Sequence, residues 1–302
     1  MISFQKMTPS LRQQYQAYRG TEERGCEYSF VNLNIWGRQK VAFGCDFLLI
    51  LSQYDRFSVY PYPLGQGDVN CALQNLLADA RERGIPFRLS GMSQEQCAAL
   101  EQMFPGRFHF HMDRDHFDYV YRIEDLSGLR GKRYQSKRNF ANRFRNTYPH
   151  CRRELLCKEN LPALQQMLTE WFRQRAEVDP LADFKLEQIA LDRALRQWQA
   201  LGLEGLLLMD GDKCIAMTMG SFLSDDTFDV HFEKALEGYD GAYAAINQSF
   251  ALYLQEKYPQ LRFLNREDDM GIPGLRKAKL SYHPDHMVEK YWARLWEDDD
   301  EI

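Results

Sequence analysis

Between Phe228 and Glu233 apolar and polar residues alternate without a break: Phe228, Asp229, Val230, His231, Phe232, Glu233. In a strand that pattern sets Asp229, His231 and Glu233 on one face, with the aromatics and Val230 on the other. Three titratable groups so placed form a general-base site, because neighbouring charges move each other's pKa toward the working range. A half-exposed strand shows the same alternation, so the pattern leaves both readings open. A few residues on, Gly238 and Gly241 bracket a turn ahead of helical spacing, where free amides and the helix dipole favour phosphate or carboxylate. A strand, a glycine turn and a helix also join this way with no ligand. The third group is Asn265, Arg266, Glu267, Asp268 and Asp269, directly after an apolar run, and then the segment Leu275 to Tyr282. Loops beyond strand ends are common sites of chemistry. Arg276 and Lys279, three apart, share a helical face and can hold an anion or a developing oxyanion together; a solvated basic helix has that spacing too.

These groups need elements to hold them. Thr8 and Pro9 open a helix that runs to about Arg19. Val41 to Pro63 is rich in Phe, Leu, Ile, Val and Tyr and predicts two strands around a turn at Gln53 to Arg56. Asp68 caps a helix whose apolar face is Val69, Leu73, Leu76, Leu77 and Ala80, and Gly84 ends it. Pro86 to Leu89 resumes a strand, Ser93 to Phe104 reads as a helix, and Arg107 to Ile123 as strand, turn, strand about Asp113 to Asp115. A basic helix ends near Pro149, and helices follow over about Leu161 to Ala176 and Phe184 to Leu201. Strands are predicted at Leu203 to Met209, Cys214 to Leu223 and Thr227 to Lys234, a helix from Ala242 to Tyr258, and a strand from Leu261 to Asn265. The two halves repeat one order of elements, two strands, a glycine-containing turn, a helix and another strand, which points to an internal duplication. Ser127, Gly128 and Gly131 set the boundary, giving domains 1–127 and 128–302.

Size and charge narrow the function classes. A chain of 302 residues fits two domains, and 44% hydrophobic with 27% charged residues fits a folded protein. The net charge of −5 argues against a general affinity for nucleic acid, yet Arg130 to Arg153 holds Lys132, Arg133, Lys137, Arg138, Arg143, Arg145 and Arg152 with no acidic residue, so an anion is the expected neighbour. The acidic run Glu297 to Glu301 reads as a solvated tail. No signal-peptide pattern opens the chain, and its longest apolar run, Phe47 to Leu51, is far short of a bilayer span. Seven cysteines without paired spacing read as reduced thiols, so the expected compartment is cytoplasmic, with no metal site and no permanently bound cofactor.

Several of these stretches resemble a bacterial family related to the cytosolic C-terminal domain of phosphatidylglycerol lysyltransferases. The likeness is carried by Gly131-Lys132-Arg133-Tyr134 with Lys137-Arg138-Asn139, and by His231-Phe232-Glu233-Lys234-Ala235. Gly241-Ala242-Tyr243 with Ile246-Asn247, and Asn265-Arg266-Glu267-Asp268 through Gly274-Leu275-Arg276-Lys277-Ala278-Lys279-Leu280-Ser281-Tyr282, extend it over nearly the whole chain. The resemblance implies an α/β (α+β) protein of two tandem N-acetyltransferase-type (GNAT-like) domains, each a mixed sheet flanked by helices, with the active site in the second. It implies an acyl or aminoacyl transfer from aminoacyl-tRNA to an amine or hydroxyl, such as a small molecule or a lipid headgroup, with tRNA phosphates on segment 130–153. An acyl-CoA donor, or a non-catalytic ligand- or nucleic-acid-binding protein that keeps the fold, are the alternatives. On that architecture Glu233 or His231 takes the proton of the attacking group and Lys279 stabilises the oxyanion. Asp229, Asn247, Asn265, Arg266, Glu267, Asp269, Arg276 and Tyr282 bind substrate. Gly238, Gly241, Lys132, Lys137 and Arg138 hold the donor phosphates.

Overall fold

A computed structural model describes residues 1–19, 23–178 and 184–296. The acidic run at Glu297 to Glu301 lies outside them. The chain divides into two compact units, one of Met1–Asp118, Asp268–Ile272 and Met287–Ile302, the other of Tyr119–Glu267 and Pro273–His286.

The first unit is a mixed sheet in the order Gln5–Lys6, Gln39–Gly44, Phe47–Gln53, Ser58–Pro61, Arg88–Met92, Tyr291–Leu295, Phe108–Met112, with Leu64–Gly65 beside Phe47–Gln53. Ser58–Pro61 runs parallel to Arg88–Met92, joined through the helix Val69–Arg83. Asp68 caps that helix by accepting from the amides of Asn70 and Cys71, and Gly84 ends it at φ +66°. Its buried face, Leu73, Leu76 and Leu77, packs with Leu49, Tyr60 and Leu89.

The second unit repeats the plan. Its sheet runs His286–Val288, Asp118–Arg122, Phe263–Asn265, Thr227–Ala235, Lys213–Phe222, Glu204–Asp210, Arg152–Leu155. Thr227–Ala235 and Phe263–Asn265 are parallel, and the helix Ala242–Lys257 connects them. The mixed sheets with helices are the architecture expected from the resemblance. Strand and helix boundaries mostly fall within two or three residues of the sequence-based ones.

Some expectations need correction. The change of unit falls at Asp118 and Tyr119, ahead of Ser127, because the strand ending at Arg122 already pairs with Phe263–Asn265, and the last strand of the chain belongs to the first unit. Phe108–Met112 and Asp118–Arg122 are strands, but they lie in different sheets and do not form a hairpin. The region from Val41 to Pro63 holds three strands, since a further turn at Cys45 and Asp46, both with positive φ, divides the first. The edge strand Arg152–Leu155 escaped notice because it is charged and largely exposed, with no apolar face to betray it. Cys45 and Cys71 are joined in a disulfide, so the expectation of seven free thiols fails for this pair; sequence spacing does not reveal a pairing made by the packing of a turn against a helix. Among the described residues no helix is long and apolar enough to cross a membrane.

Candidate functional site

The alternating strand is not a solvent-facing one. Asp229 is fully buried, His231 is buried, and Val230 and Phe232 on the other face are buried as well. The partner strand slips register opposite His231: Gly220 faces Val230 and Met219 faces Phe232, leaving His231 as the extra residue of a bulge. Bulges re-aim a side chain next to sites of chemistry. Gly220 permits it, since a Cβ there would run into the carbonyl oxygen of Asp229 and the ring of Phe228.

Glu233 stands at the centre of one group. Its Oε1 accepts from Arg266 Nη2 at 2.8 Å and its Oε2 from Asn247 Nδ2 at 3.1 Å. The helix Ala242–Lys257 presents Asn247, and the loop after Phe263–Asn265 presents Arg266. The pair is largely withdrawn from water, with side-chain exposures of 10% for Glu233 and 14% for Arg266. The guanidinium lies 5.0 Å from the ring of Tyr282 and 5.7 Å from that of Tyr121. Burial opposes the Arg266 charge, but Glu233 and the two phenols raise its pKa above the ordinary value. Lys137 from the basic helix sits over Tyr282, its Nζ 4.0 Å from the ring centre. Burial, and then Arg266, depress the Lys137 pKa, with Glu233 opposing. Burial drives the phenol of Tyr282 up to about 12. Arg266 Nη1 and Asn247 Oδ1 are buried and make no hydrogen bond among the described residues, and neither does Thr218 Oγ1, whose residue faces Glu233 across the ladder.

His231 belongs to a second group. Its Nε2 lies 2.9 Å from Ser221 Oγ, and its Nδ1 lies 3.1 Å from Glu267 Oε1 and 3.4 Å from Asp229 Oδ2. The ring is locked between partners. Lys279, expected at the oxyanion, gives its ammonium protons to the carbonyls of Arg266 and Glu267, the latter at 3.1 Å. Glu267 has φ +57° and is held there by Asn265 Oδ1, which accepts its amide at 2.7 Å. Lys279 and Glu233 are therefore linked through Arg266, whose side chain meets one and whose carbonyl meets the other.

Other expected residues are placed elsewhere. Asp269 belongs to the first unit, fully buried, and accepts from the Gly271 amide while pairing with Arg114 at 3.5 Å. Gly241 is explained by packing, since a Cβ would meet the carbonyl of Phe140, and Tyr148 donates to the carbonyl of Gly238 at 3.0 Å. Arg138 caps the carbonyls of Leu129 and Gly131. Lys132 is exposed and Arg276 half-buried. Sequence reasoning missed Ser221, Thr218 and Tyr121. They come from neighbouring strands, and the tertiary pairing alone brings them in.

The family model described as phosphatidylglycerol lysyltransferase, C-terminal, matches residues 18–294. A crystal structure of a conserved protein of unknown function from Bacteroides thetaiotaomicron VPI-5482 is 38% identical with a TM-score of 0.92, covering 98% of this chain and 100% of that one. The structure of L-PGS from Bacillus licheniformis is 14% identical with a TM-score of 0.69, over 96% of this chain and 92% of that one. A tandem GNAT protein from the clavulanic acid biosynthesis pathway is 9% identical with a TM-score of 0.50, over 98% of each chain. The last two share the fold. An uncharacterised protein of Mycoplasmoides gallisepticum is 26% identical over 182 residues, and the match spans 59% of this chain and 56% of that relative.

Proposed function

We propose a reaction for this protein from one premise: the chain belongs to the phosphatidylglycerol lysyltransferase C-terminal family. The reaction is the transfer of an aminoacyl group from the ester of an aminoacyl-tRNA to an amine or hydroxyl. The observation that carries it is the set of partners around Glu233: a carboxylate held at both oxygens, a buried guanidinium nitrogen without a hydrogen bond, and an ammonium from Lys137 whose pKa is depressed. A buried donor left unmade is costly, about 1–3 kcal/mol, which a ligand acceptor recovers. Arg266 Nη1 therefore suits the ester carbonyl and, more strongly, the oxyanion it becomes, with Lys137 adding positive charge. Glu233 takes the proton of the attacking group, its two oxygens oriented by Arg266 and Asn247. The acceptor's nitrogen or oxygen bonds to the carbonyl carbon, the bond to the ribose oxygen breaks, and the proton ends on the leaving hydroxyl. His231 and Lys279 act one step back, by holding the loop that carries Arg266.

The exposed basic face suits the tRNA. Arg133, Arg143 and Arg152 pair with Asp125, Asp240 and Glu154, all at the surface. Such pairs are worth about 0–1 kcal/mol each, so phosphates can replace the carboxylates at little cost. The Gly238 to Gly241 turn lacks the full basic and glycine-rich pattern expected for the phosphates of coenzyme A, which favours aminoacyl-tRNA as the donor. The test is to incubate the purified chain with charged bulk tRNA and follow loss of the aminoacyl ester with and without added amines and polar lipids. Wild type should discharge tRNA, E233Q should not, and tRNA affinity should drop as salt rises. Salt-independent binding, or equal discharge by wild type and E233Q, refutes the reading.

A further inference from the structure

The first unit carries a sheet face that the transfer chemistry does not use. In the strands Tyr291–Leu295 and Phe108–Met112, the side chains of Ala293, Leu295 and Phe108 turn into the core with the helices Val69–Arg83 and Gln94–Met103. Alternation sets Trp292, Arg294, His109 and His111 on the opposite face. Trp296 follows in step, its amide donating to the Arg107 carbonyl at 3.2 Å. We propose that this face binds a single-stranded stretch of nucleic acid, with bases stacking on Trp292 and Trp296 and phosphates meeting Arg88 and Arg294.

The pairing of the strands sets the rings and the cations in register. Trp292 lies opposite His111, and their rings stack with centres 6.0 Å apart and planes 21° apart. Phe57 reaches the edge of Trp292 at 6.3 Å, and His109 meets Trp296 edge-on at 4.9 Å. Trp296 is 52% exposed and His111 is exposed, so aromatic surface is open to a base. The row between the tryptophans is Arg88, Arg294 and His109, opposite one another on three neighbouring strands. Like charges directly opposite in a sheet repel and lower stability, and a phosphate relieves that repulsion. His111 senses the same field: burial depresses its pKa, and Arg294 and His109 depress it further, each by more than Asp113 raises it. The acids at the margin, Asp113 and Asp268, both face His116, at 3.6 and 3.4 Å.

Trp292 and Trp296 are four residues apart, about 13 Å along a strand, with Arg294 midway. That order of ring, cation and ring fits a backbone that alternates bases with phosphates. Any base can stack on an aromatic side chain while a basic row follows the phosphates, which is how sheets hold unpaired strands. A duplex keeps its base faces stacked inside and offers the tryptophans nothing. A bilayer interface asks for an apolar face with the cations on the polar side, whereas here the guanidiniums lie between the rings.

The experiment titrates the full chain into a short fluorescently labelled oligo(A) RNA and follows anisotropy. The readout is binding alone, so it stands whether or not the chain discharges tRNA. Saturable binding is expected, and the same RNA annealed to oligo(U) should bind far more weakly. W292A and W296A should each weaken binding by about 5–150-fold, the loss of one stacked base. R88Q should make the dependence of log K on log salt shallower by about 0.7, the loss of one phosphate contact to a single strand. The competing ligand is a vesicle of equal parts phosphatidylcholine and phosphatidylglycerol. Tryptophan-dependent co-sedimentation with vesicles, without such dependence for RNA, assigns the face to lipid and overturns the proposal. No saturable RNA binding, equal affinity for the duplex, or unchanged affinity in W292A and W296A overturns it as well. Should W292A fail to fold, W296A, at an exposed position, and R88Q decide.

Discussion

The Glu233–Arg266 contact can be broken from either side, and the structure says how much each break costs. The two groups meet at 2.8 Å with side-chain exposures of 10% and 14%, so solvent screening offers little discount. Removing one partner of such a pair leaves an uncompensated buried charge, worth about 3–5 kcal/mol. E233Q keeps the volume and one acceptor, which places it near the lower end, about 3 kcal/mol. Spread over a unit of ~150–250 residues, that lowers Tm by roughly 6–12 °C. R266Q strands Glu233 beside Asn247, a neutral donor at 3.1 Å, and should cost at least as much. In the double variant neither charge remains, so the losses must not add. Urea denaturation of the four proteins forms a double-mutant cycle, and a coupling of about 2–3 kcal/mol is expected for residues in direct contact. Because the pair is buried, the coupling should survive in ~1 M salt, where exposed pairs are screened beyond about 3 Å. A coupling below about 0.5 kcal/mol, the ordinary limit of additivity, would refute the view that these two charges hold each other.

D79N should be among the most damaging changes in the first unit, by about 3–5 kcal/mol, because buried Asp79 accepts from Arg83 Nε at 2.6 Å, Tyr60 at 2.8 Å and the Ile2 amide at 2.6 Å. Burial alone would raise the Asp79 pKa, but these partners lower it, so its stabilisation is present above the unfolded value near 4 and fades as pH falls below it; wild type and D79N should converge in acid denaturation curves. G241A should cost more than G238A although both glycines have φ near +90°. Each pays about 1–2 kcal/mol for the left-handed conformation, but only at Gly241 does the new Cβ meet the Phe140 carbonyl, and equal urea midpoints for the two variants would contradict that packing. K137M should be no less stable than wild type at pH 7 while discharging tRNA more slowly. The depressed Lys137 pKa means its charge opposes folding below the folded-state pKa, and the difference between the two proteins should shrink toward pH ~10.5.

Much of this fold was legible because each signal was local. Asp68 and Gly84 delimit the helix Val69–Arg83 through capping chemistry that four or five residues decide. The Asp229 to Glu233 alternation marked the strand of the site for the same reason. Which strands pair is decided at longer range, and there the reading failed: Phe108–Met112 and Asp118–Arg122 look like a hairpin until the Tyr291–Leu295 strand claims the first of them. The site was legible in part. Glu233, Asn247, Arg266 and His231 were named, but the division of Asp229, His231 and Glu233 into two separate groups was not. Strict alternation assigns them one face, and the register slip at Gly220, which sends His231 to Ser221 and Glu267, has no mark in its own strand.

The corner at Arg266 and Glu267 shows why the two groups nevertheless depend on one another. Adjacent residues in an extended strand point to opposite faces, and here the left-handed turn at Glu267 changes the direction of the chain, so Arg266 reaches Glu233 while Glu267 reaches His231. Lys279 is bonded to both carbonyls at once, and its own carbonyl accepts from Tyr121 at 2.8 Å. A lysine that stabilised an oxyanion directly would need its ammonium free to face the substrate; this one is buried among backbone acceptors. In the proposed reaction Lys279 therefore acts through the placement of Arg266. K279M should relax the corner, loosening the Glu233–Arg266 coupling and the His231 contacts together, whereas an oxyanion lysine would leave both unchanged and lower turnover alone.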